Sequence, residues 1–544
     1  MKDIIKNIVG KASKELNYSI TDFSVDYPKN KKFGDFSANV ALVLSKELKK
    51  NPRDIANELL PLLEKESVFS KVEIAGAGFI NFFVSDKFYD ELIRKVINEK
   101  GSFGKISINV GKTANLEWVS ANPTGPLHAG HGRQVCLGKA IANLLEWTGY
   151  EVTREYYYND AGNQMNNLAK SVYARYMQIF QPDFPFPEDG YAGDYIKDIA
   201  NEIYKDKSES LKDSEDLTYF KTKAEEANFA KIKNTLAKFN IKHDVFFSET
   251  DLYKNGDIEN LLNLFKEKGA SRTEDGATWL IMNKDKFQKD KVIVKATGEP
   301  TYRLPDMAYH INKVKRGFDL IVDIFGSDHG DTYKEVLYGL SVASFNPEKI
   351  KVIIHQMVTF KMGDESVKMS KRSDNVYYLD DLIDDVGIDA TQLFFVMRSA
   401  NTHLDFDIEL AKDKSDKNPV YYLQYAHARI CGIFRNAEEN ITGFNGDYLS
   451  KEFPHPEPEA LELIKALAKF PEEIRSAYEG LEPHKLIYYL NTVAELFHKF
   501  YHNNRVLNKD DLPTTHSRLQ ICYITKQVLQ NGFAIIGISA PERM

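Results

Sequence analysis

The sequence has few cysteines and no long apolar run. Its three cysteines, Cys136, Cys431 and Cys522, are far apart and odd in number, so they indicate neither a disulfide framework nor a zinc-binding pattern. No stretch of about 18 apolar residues is present, which excludes a predicted transmembrane helix. The N-terminal residues are charged and amphipathic and lack the apolar core and cleavage site of a signal peptide. These absences predict a cytoplasmic protein with no membrane anchor and no structural metal.

The chain also lacks an excess of basic residues. Its formal net charge is −8, and 43% of its 544 residues are hydrophobic and 28% charged, a composition typical of globular proteins. The negative charge argues against indiscriminate nucleic-acid binding, but it does not exclude a local basic groove. The length is sufficient for about three or four domains.

Residues 120–134, SANPTGPLHAGHGRQ, form the most informative stretch. Apolar residues alternate with polar ones before it, as in a half-buried strand, and recur at helical spacing after it. Its glycines let the backbone approach a ligand closely, and a helix N-terminus favours phosphate. His128 and His131 can donate hydrogen bonds to phosphate oxygens. The stretch predicts a strand–loop–helix nucleotide site, although an ordinary glycine-rich turn fits the same residues.

A second short motif, KMSKR at residues 368–372, follows much later in the chain. Two lysines around a serine can hold a polyphosphate as mobile point charges, but a solvated basic turn has the same composition. The two motifs in this order resemble the HIGH and KMSKS signatures of class I aminoacyl-tRNA synthetases.

The pattern of the whole chain predicts three domains. Residues 1–110 indicate a small α/β domain whose lysine-rich turn is either solvated or in contact with RNA. Residues 111–380 alternate strands and helices, which predicts a Rossmann-type, doubly wound parallel sheet. A lysine- and glutamate-rich insertion at about 171–295 interrupts this core and is expected to cover one side of the site. Residues 381–544 predict an all-α helical bundle, whose aromatic residues fit either its core or a base-stacking surface.

Further stretches resemble the bacterial-type arginyl-tRNA synthetases over nearly the whole chain. They are residues 120–131, 302–308, 404–407, 418–429 and 540–544. The resemblance implies a Rossmann catalytic core, an N-terminal appended domain that contacts the tRNA and a C-terminal anticodon-binding bundle. It also implies a monomer that joins L-arginine to tRNA(Arg) with ATP and Mg²⁺, and that needs bound tRNA to activate arginine.

The resemblance assigns roles to individual residues. Its catalytic residues are His128, His131, Lys368 and Lys371. ATP binding is assigned to these four and to Pro123, Gly125, Gly130, Gly326, Asp328, His329, Gln356, Met357, Val358, Met369 and Ser370. Arginine binding is assigned to Glu117, Ser120, Asn122, His131, Tyr302 and Asp306. Contact with tRNA is assigned to Asn39, Arg429, His498 and Arg505.

The chemistry of the predicted arginine pocket agrees with these assignments. A guanidinium is a planar fork of donors that carboxylates match best. Each residue also has a simpler interpretation, because Glu117 fits a strand residue facing water and Asp306 fits a helix start. After Lys371 the chain has Arg372, Ser373 and Asp374, where the family often has a small residue and then glycine, so this loop is expected to close differently.

Two other functions fit part of the pattern. One is a class I synthetase for another amino acid, such as cysteine or glutamate. The absence of zinc-type cysteines argues against the first, and the paired carboxylates argue against an acidic substrate. The other is a catalytically silent tRNA-binding paralogue, which damage to either signature would favour; both are intact.

Overall fold

The structure is a computed structural model that describes residues 2–20, 22–28, 30–160, 162–363, 365–367, 376–441, 446–451, 453 and 456–544. The N-terminal region combines helices with a four-stranded antiparallel sheet in the order β1-β2-β4-β3. Its elements are α1 (Lys2–Glu15), β1 (Val25–Asp26), β2 (Phe36–Ala38), α2 (Val40–Leu48), α3 (Pro52–Leu63), β3 (Phe69–Ala75), β4 (Phe79–Val84) and α4 (Asp86–Glu99). The predicted α/β character of this region is confirmed.

The central region is organised around a five-stranded parallel sheet in the order β12-β11-β5-β6-β7. Its strands are β5 (Thr113–Glu117), β6 (Glu151–Tyr158), β7 (Val245–Ser248), β11 (Leu320–Gly326) and β12 (Ile350–His355), and the helices beside them are α5 (Gly132–Trp147), α11 (Arg303–Lys315) and α12 (Thr332–Val342). The chain builds β5, β6 and β7 outward, then returns to the other side of β5 for β11 and β12. This reversal is the doubly wound topology, and the predicted fold class is confirmed.

Two predictions about strand burial are wrong. The polar residues of β5, Asn115 and Glu117, are as buried as its apolar ones, because β5 is the central strand and is covered on both faces. Conversely, the apolar run VII at residues 352–354 predicts a buried strand, but β12 is an edge strand whose middle residues are half-buried.

The segment between β6 and α11, which contains the predicted insertion at about 171–295, is largely helical apart from β7 of the parallel sheet and a small antiparallel sheet. It comprises α6 (Gly162–Met177), α7 (Asp194–Lys207), α8 (Thr218–Lys238), α9 (Glu249–Lys254) and α10 (Asp257–Glu267), with an antiparallel sheet of β8 (Ser271–Glu274), β9 (Ala277–Leu280) and β10 (Lys291–Val294). Helices α6, α7 and α8 pack around their own apolar cluster. This cluster gives the insertion a core separate from that of the sheet.

The rest of the chain is mainly helical. A small sheet of β13 (Val358–Met362), β14 (Glu365–Val367) and β15 (Leu404–Asp407) lies beside α13 (Leu379–Val386), α14 (Ile388–Val396) and α15 (Ile408–Lys412). The bundle contains α16 (Pro419–Asn440), α17 (Pro458–Leu467), α18 (Phe470–Gly480), α19 (His484–Asn503) and α20 (Leu512–Ile536). Most of the aromatic residues predicted on α19 are core, whereas Tyr488 and Tyr501 are exposed. Within the described part of the chain, no helix is long and apolar enough to span a bilayer.

Candidate nucleotide and amino-acid site

The predicted site residues meet at the carboxyl edge of the parallel sheet. Glu117 ends β5, Asp160 lies just beyond β6, Asp328 follows β11 and Gln356 follows β12. In doubly wound sheets this edge, at the point where the strand order reverses, is where ligands bind. The topology therefore brings together residues that are far apart in the sequence.

The signature loop begins with a strained turn. Val119 and Ser120 have φ values of +71° and +41°, the left-handed region that non-glycine residues rarely adopt and that is costly for a β-branched one. The Ser120 hydroxyl donates to Glu117 Oε1 at 2.9 Å and accepts the Tyr157 N–H at 3.1 Å. These bonds hold the turn against β6, so Ser120 lies beside Glu117 as the pocket assignment requires.

Asn122 connects the signature loop to the end of β6. Its amide group donates to Gln164 Oε1 at 2.7 Å, and its oxygen accepts the Asn159 N–H at 3.1 Å. Both partners come from the segment after β6, so Asn122 lies at the opening between two strand ends. This is the position expected for a residue that contacts an amino-acid substrate.

The two signature histidines lie face to face at the start of α5. Their ring centroids are 3.6 Å apart, and the His128 backbone N–H donates to His131 Nδ1 at 3.2 Å. Because Nδ1 accepts this bond, the neutral His131 ring carries its proton on Nε2. Since α5 begins at Gly132, this donor lies beside the partial positive charge of the helix N-terminus.

The predicted adenosine side lies across the reversal point from the histidines. Asp328 and His329 follow Gly326 in a short turn, and the His329 ring stacks on Phe325 with centroids 5.4 Å apart. Residues 356–358 continue from β12, with Met357 exposed. The first segment follows β11, the neighbour of β5, and the second follows β12, the neighbour of β11, which places both where a nucleoside would extend from the histidine loop.

Arg133 is a buried residue that the sequence analysis did not single out. Its guanidinium donates to the Gln356 and Ser399 carbonyls, both at 2.8 Å, and burial lowers its pKa to about 10. These bonds tie the first turn of α5 to the segment predicted to contact adenine. The sequence signal that could have identified Arg133 is its position two residues after His131.

The insertion holds the signature loop from outside. Asn228 on α8, fully buried, donates to the Pro123 carbonyl at 2.9 Å, and the Tyr195 hydroxyl on α7 donates to the Thr124 carbonyl at 2.7 Å. A Cβ on Gly125 would lie 2.7 Å from that hydroxyl oxygen, so a larger residue here would displace the Tyr195 side chain. The prediction that the insertion covers one side of the site agrees with these contacts.

Replacing Tyr195 with phenylalanine tests this contact. Loss of one neutral hydrogen bond costs about 1 kcal/mol, so we expect ATP KM to rise roughly fivefold while arginine KM stays near its original value. Tyr173→Phe, which removes the hydroxyl bonded to Lys212 within the insertion, is the matched control. Equal changes in both variants would mean that the insertion contact acts through general stability.

Acidic side chains surround the predicted arginine position. Asp306 lies in the first turn of α11 and Tyr302 just before it, exposed. The Tyr157 hydroxyl donates to Glu249 Oε2 at 2.6 Å. Burial and the charges of Glu249, Asp306 and Glu117 raise the pKa of Tyr157 well above its ordinary value, so all three carboxylates act on the same hydroxyl.

Glu249 and Tyr157 are pocket residues that the sequence analysis missed. Glu249 follows β7 directly, and burial, Asp160 and Asp306 raise its pKa even though Tyr157 donates to it. A carboxylate immediately after a strand of a parallel sheet was the signal that could have identified it.

Glu117 does not face water, so the simpler interpretation of this residue is wrong. It is only 3% exposed, and its Oε2 pairs with the ammonium of Lys313 on α11. A buried carboxylate paired with a cation and bonded to Ser120 of the signature loop is compatible with the predicted binding role and not with a solvated strand position.

The second signature, including Lys368, Met369, Ser370 and Lys371, lies outside the described residues. The segment that follows it runs beside the first signature. The Ala129 N–H donates to the Tyr377 carbonyl at 2.9 Å, and the Leu379 N–H donates to the Leu127 carbonyl at 2.8 Å. Residues 377–379, which follow the second signature in the sequence, are therefore neighbours of the first signature at this end of the sheet.

The residues predicted to contact tRNA are away from the catalytic edge. A groove of about 1310 Å³ in the bundle is lined by cations, namely Arg429, Arg435, Arg505, Lys509 and Arg543, and by Tyr425 and Tyr501. His498 Nδ1 lies 3.3 Å from Arg429, and burial and this cation lower the pKa of His498 to about 4. Asn39 lies in the N-terminal region, where its oxygen accepts the Ser24 N–H at 2.8 Å.

Comparison with known proteins identifies the family. The arginyl-tRNA synthetase N-terminal domain matches residues 1–84, the class I (R) tRNA synthetase catalytic domain residues 93–400, and the DALR anticodon-binding domain residues 423–544. The chain is 48% identical to an arginine–tRNA ligase of Prosthecochloris aestuarii, covering 96% of each chain, and 47% identical to one of Chlorobium limicola, covering 99% of each. Its fold matches the Thermus thermophilus arginyl-tRNA synthetase with a TM-score of 0.74 at 19% identity, over 100% of both chains. The chain belongs to the arginyl-tRNA synthetase family.

Proposed function

We propose that this chain activates L-arginine with ATP and transfers it to the terminal adenosine of tRNA(Arg). The observation that carries this proposal is the juxtaposition of two features at one sheet edge. A histidine loop at a helix N-terminus suits phosphate, and the converging carboxylates of Glu117, Glu249 and Asp306 suit a guanidinium. The family relationship supports the same reaction.

In the first step the arginine carboxylate attacks the α-phosphorus of ATP. An oxygen–phosphorus bond forms, the bond to the β-phosphate oxygen breaks, and pyrophosphate leaves. His128 and His131 donate to the phosphate oxygens where charge develops, while Gly125 and Gly130 let the backbone approach. Lys368 and Lys371 are assigned to the pyrophosphate, and Mg²⁺ enters with ATP and neutralises part of its charge.

In the second step a terminal adenosine hydroxyl attacks the adenylate carbonyl and AMP leaves. This chemistry needs no protein nucleophile, because positioning and charge stabilisation lower the barrier. The adenosine side is assigned to Gly326, Asp328, His329 and residues 356–358, and Asn122 and Tyr302 complete the amino-acid side. The geometry of the strand ends supports these assignments.

Two surfaces are assigned to tRNA. The cationic groove of the bundle combines arginines with exposed tyrosines, which suits the phosphates and bases of an unpaired loop. Arg429 and Arg505 line this groove directly, and His498 contacts the Arg429 guanidinium. The N-terminal region around Asn39 is assigned to a second contact.

We further propose domain boundaries near residues 110 and 380, a monomer, and a cytoplasmic location, which suits three buried free cysteines.

Amino-acid-dependent ATP–pyrophosphate exchange tests the function. We expect exchange with arginine alone among the twenty amino acids, and only when total tRNA is present. Exchange with arginine in the absence of tRNA would keep the enzyme but contradict the role of tRNA in assembling the site. Exchange with another amino acid would contradict the pocket, and tRNA binding without any exchange would favour the silent paralogue.

A further inference from the structure

Three buried carboxylates form a row across the central strands. Glu117 on β5 is the register partner of Glu155 on β6 and of Asp323 on β11. All three are at most 3% exposed. Like charges side by side in the interior would be strongly destabilising unless cations compensated them.

Helix α11 supplies a matching row of cations. His310, Lys313 and Arg316, the last at the C-terminal end of the helix, recur at three-residue spacing and so share one face. Arg316 binds Glu155 at 2.7 Å and 2.8 Å, and His310 Nε2 lies 3.1 Å from Asp323 Oδ2. Lys313 lies between them and is fully buried.

Lys313 joins two carboxylates. Its ammonium is 2.5 Å from Asp323 Oδ1 and also pairs with Glu117 Oε2. The other oxygen of Glu117 accepts the Ser120 hydroxyl. Lys313 therefore contacts Glu117 from the side of the protein interior, whereas Ser120 belongs to the signature loop.

The charge of Glu117 depends on opposing neighbours. On balance the pKa of Glu117 is raised above its ordinary value: burial raises it most strongly and Asp323 raises it further, whereas Lys313 is the largest influence that lowers it and His310 adds to that. Glu155 is in register with Glu117, and Tyr157 and Tyr309 lie close enough for its charge to raise their pKa values. Without Lys313, this environment would favour the protonated acid.

We propose that Lys313 determines amino-acid specificity by keeping Glu117 ionised behind the arginine pocket. The proposal depends on the assignment of Glu117 to that pocket. An ionised carboxylate accepts hydrogen bonds from a guanidinium and offers no donor to a neutral analogue. A protonated acid can instead donate to a urea oxygen. A protonated Glu117 would therefore admit citrulline, which is the neutral counterpart of arginine and has a similar shape.

The experiment compares arginine with citrulline in the Lys313→Met variant. Sites built around a charged or hydrogen-bonding group reject analogues by about 10⁴–10⁵. We expect the variant to lose roughly tenfold or more of the ratio of arginine activity to citrulline activity. Pyrophosphate exchange with tRNA present measures this ratio. The ratio is measured from about pH 6 to pH 9, above the ordinary carboxyl range. In the variant we expect arginine KM to fall as pH rises, because Glu117 then loses its proton; the wild-type KM should stay flat.

Matched variants separate specificity from stability. Arg316→Met removes a cation from the same helix that pairs with Glu155 rather than Glu117, so we expect its citrulline discrimination to match wild type. Lys313→Arg keeps a cation at this position and is expected to retain much of the discrimination against citrulline. If Lys313→Met does not fold, Lys313→Met with Asp323→Asn removes one charge of each sign and leaves Glu117 without its cation, so the same loss is expected.

The outcomes distinguish this inference from the proposed function. A Lys313→Met enzyme, or the double variant, with wild-type discrimination and a flat pH profile would overturn the role of Lys313 while leaving the arginine pocket intact. If wild type accepts citrulline as readily as arginine, and Asp306→Asn leaves arginine KM unchanged, the pocket assignment itself fails.

Discussion

Replacing Asp306 with alanine is expected to raise arginine KM by roughly 10²–10³-fold. Removing one partner of a desolvated charge pair costs about 3–4 kcal/mol, and each 1.4 kcal/mol is about tenfold. Asp306 is half-buried in the first turn of α11, and its charge, with burial and the charges of Glu249 and Glu117, raises the pKa of Tyr157. It is more accessible than Glu117, which is 3% exposed, so the guanidinium should depend on it strongly.

The controls for this prediction address a second role of Asp306. Its carboxylate also lies 3.0 Å from His310 Nδ1, and although burial disfavours the charged ring, Asp306 and Asp323 raise the pKa of His310 to about 10. Asp306→Asn keeps the shape and removes the charge. Asp331→Ala removes a fully exposed carboxylate at the start of α12 and is the matched control. Normal arginine KM in a folded Asp306→Ala protein would refute the pocket.

Local sequence pattern was sufficient to locate the strand, loop and helix around residues 120–134. The alternation before residue 120, the glycines and the helical spacing after residue 134 all report on neighbouring residues, and the structure has β5, the loop and α5 there. Strand–helix alternation likewise fixed the fold class, because parallel strands need helical crossovers on both faces.

The environment of the arginine pocket could not be predicted in the same way. The buried state of Glu117 depends on β5 lying at the centre of the sheet and on the docking of α11, which is nearly two hundred residues further along the chain. The contacts of Arg133, Asn228 and Tyr195 are equally non-local. No periodicity in one segment encodes such register between distant strands and helices.

Replacing His131 with alanine is expected to lower the rate of adenylate formation by about 10²–10³-fold. The loss of one preorganised donor to a developing oxyanion has an effect of this size. The hydrogen bond from the His128 backbone to Nδ1 fixes the tautomer, so Nε2 is the donor. This interaction strengthens as charge builds on the phosphate, so the main effect should appear in kcat.

The comparison with His131→Gln decides whether this loss is chemical or structural. Glutamine retains an N–H donor of similar reach and should recover part of the rate, whereas alanine also removes the ring that accepts the His128 backbone N–H. Unfolding midpoints therefore have to be measured for both, with His484→Ala on α19 as the control for loss of a remote histidine. Single-turnover adenylation could be equally slow in both variants while their stabilities are equal. That result would show that no donor at residue 131 assists the phosphate, and that the His131 ring acts only by stacking on His128.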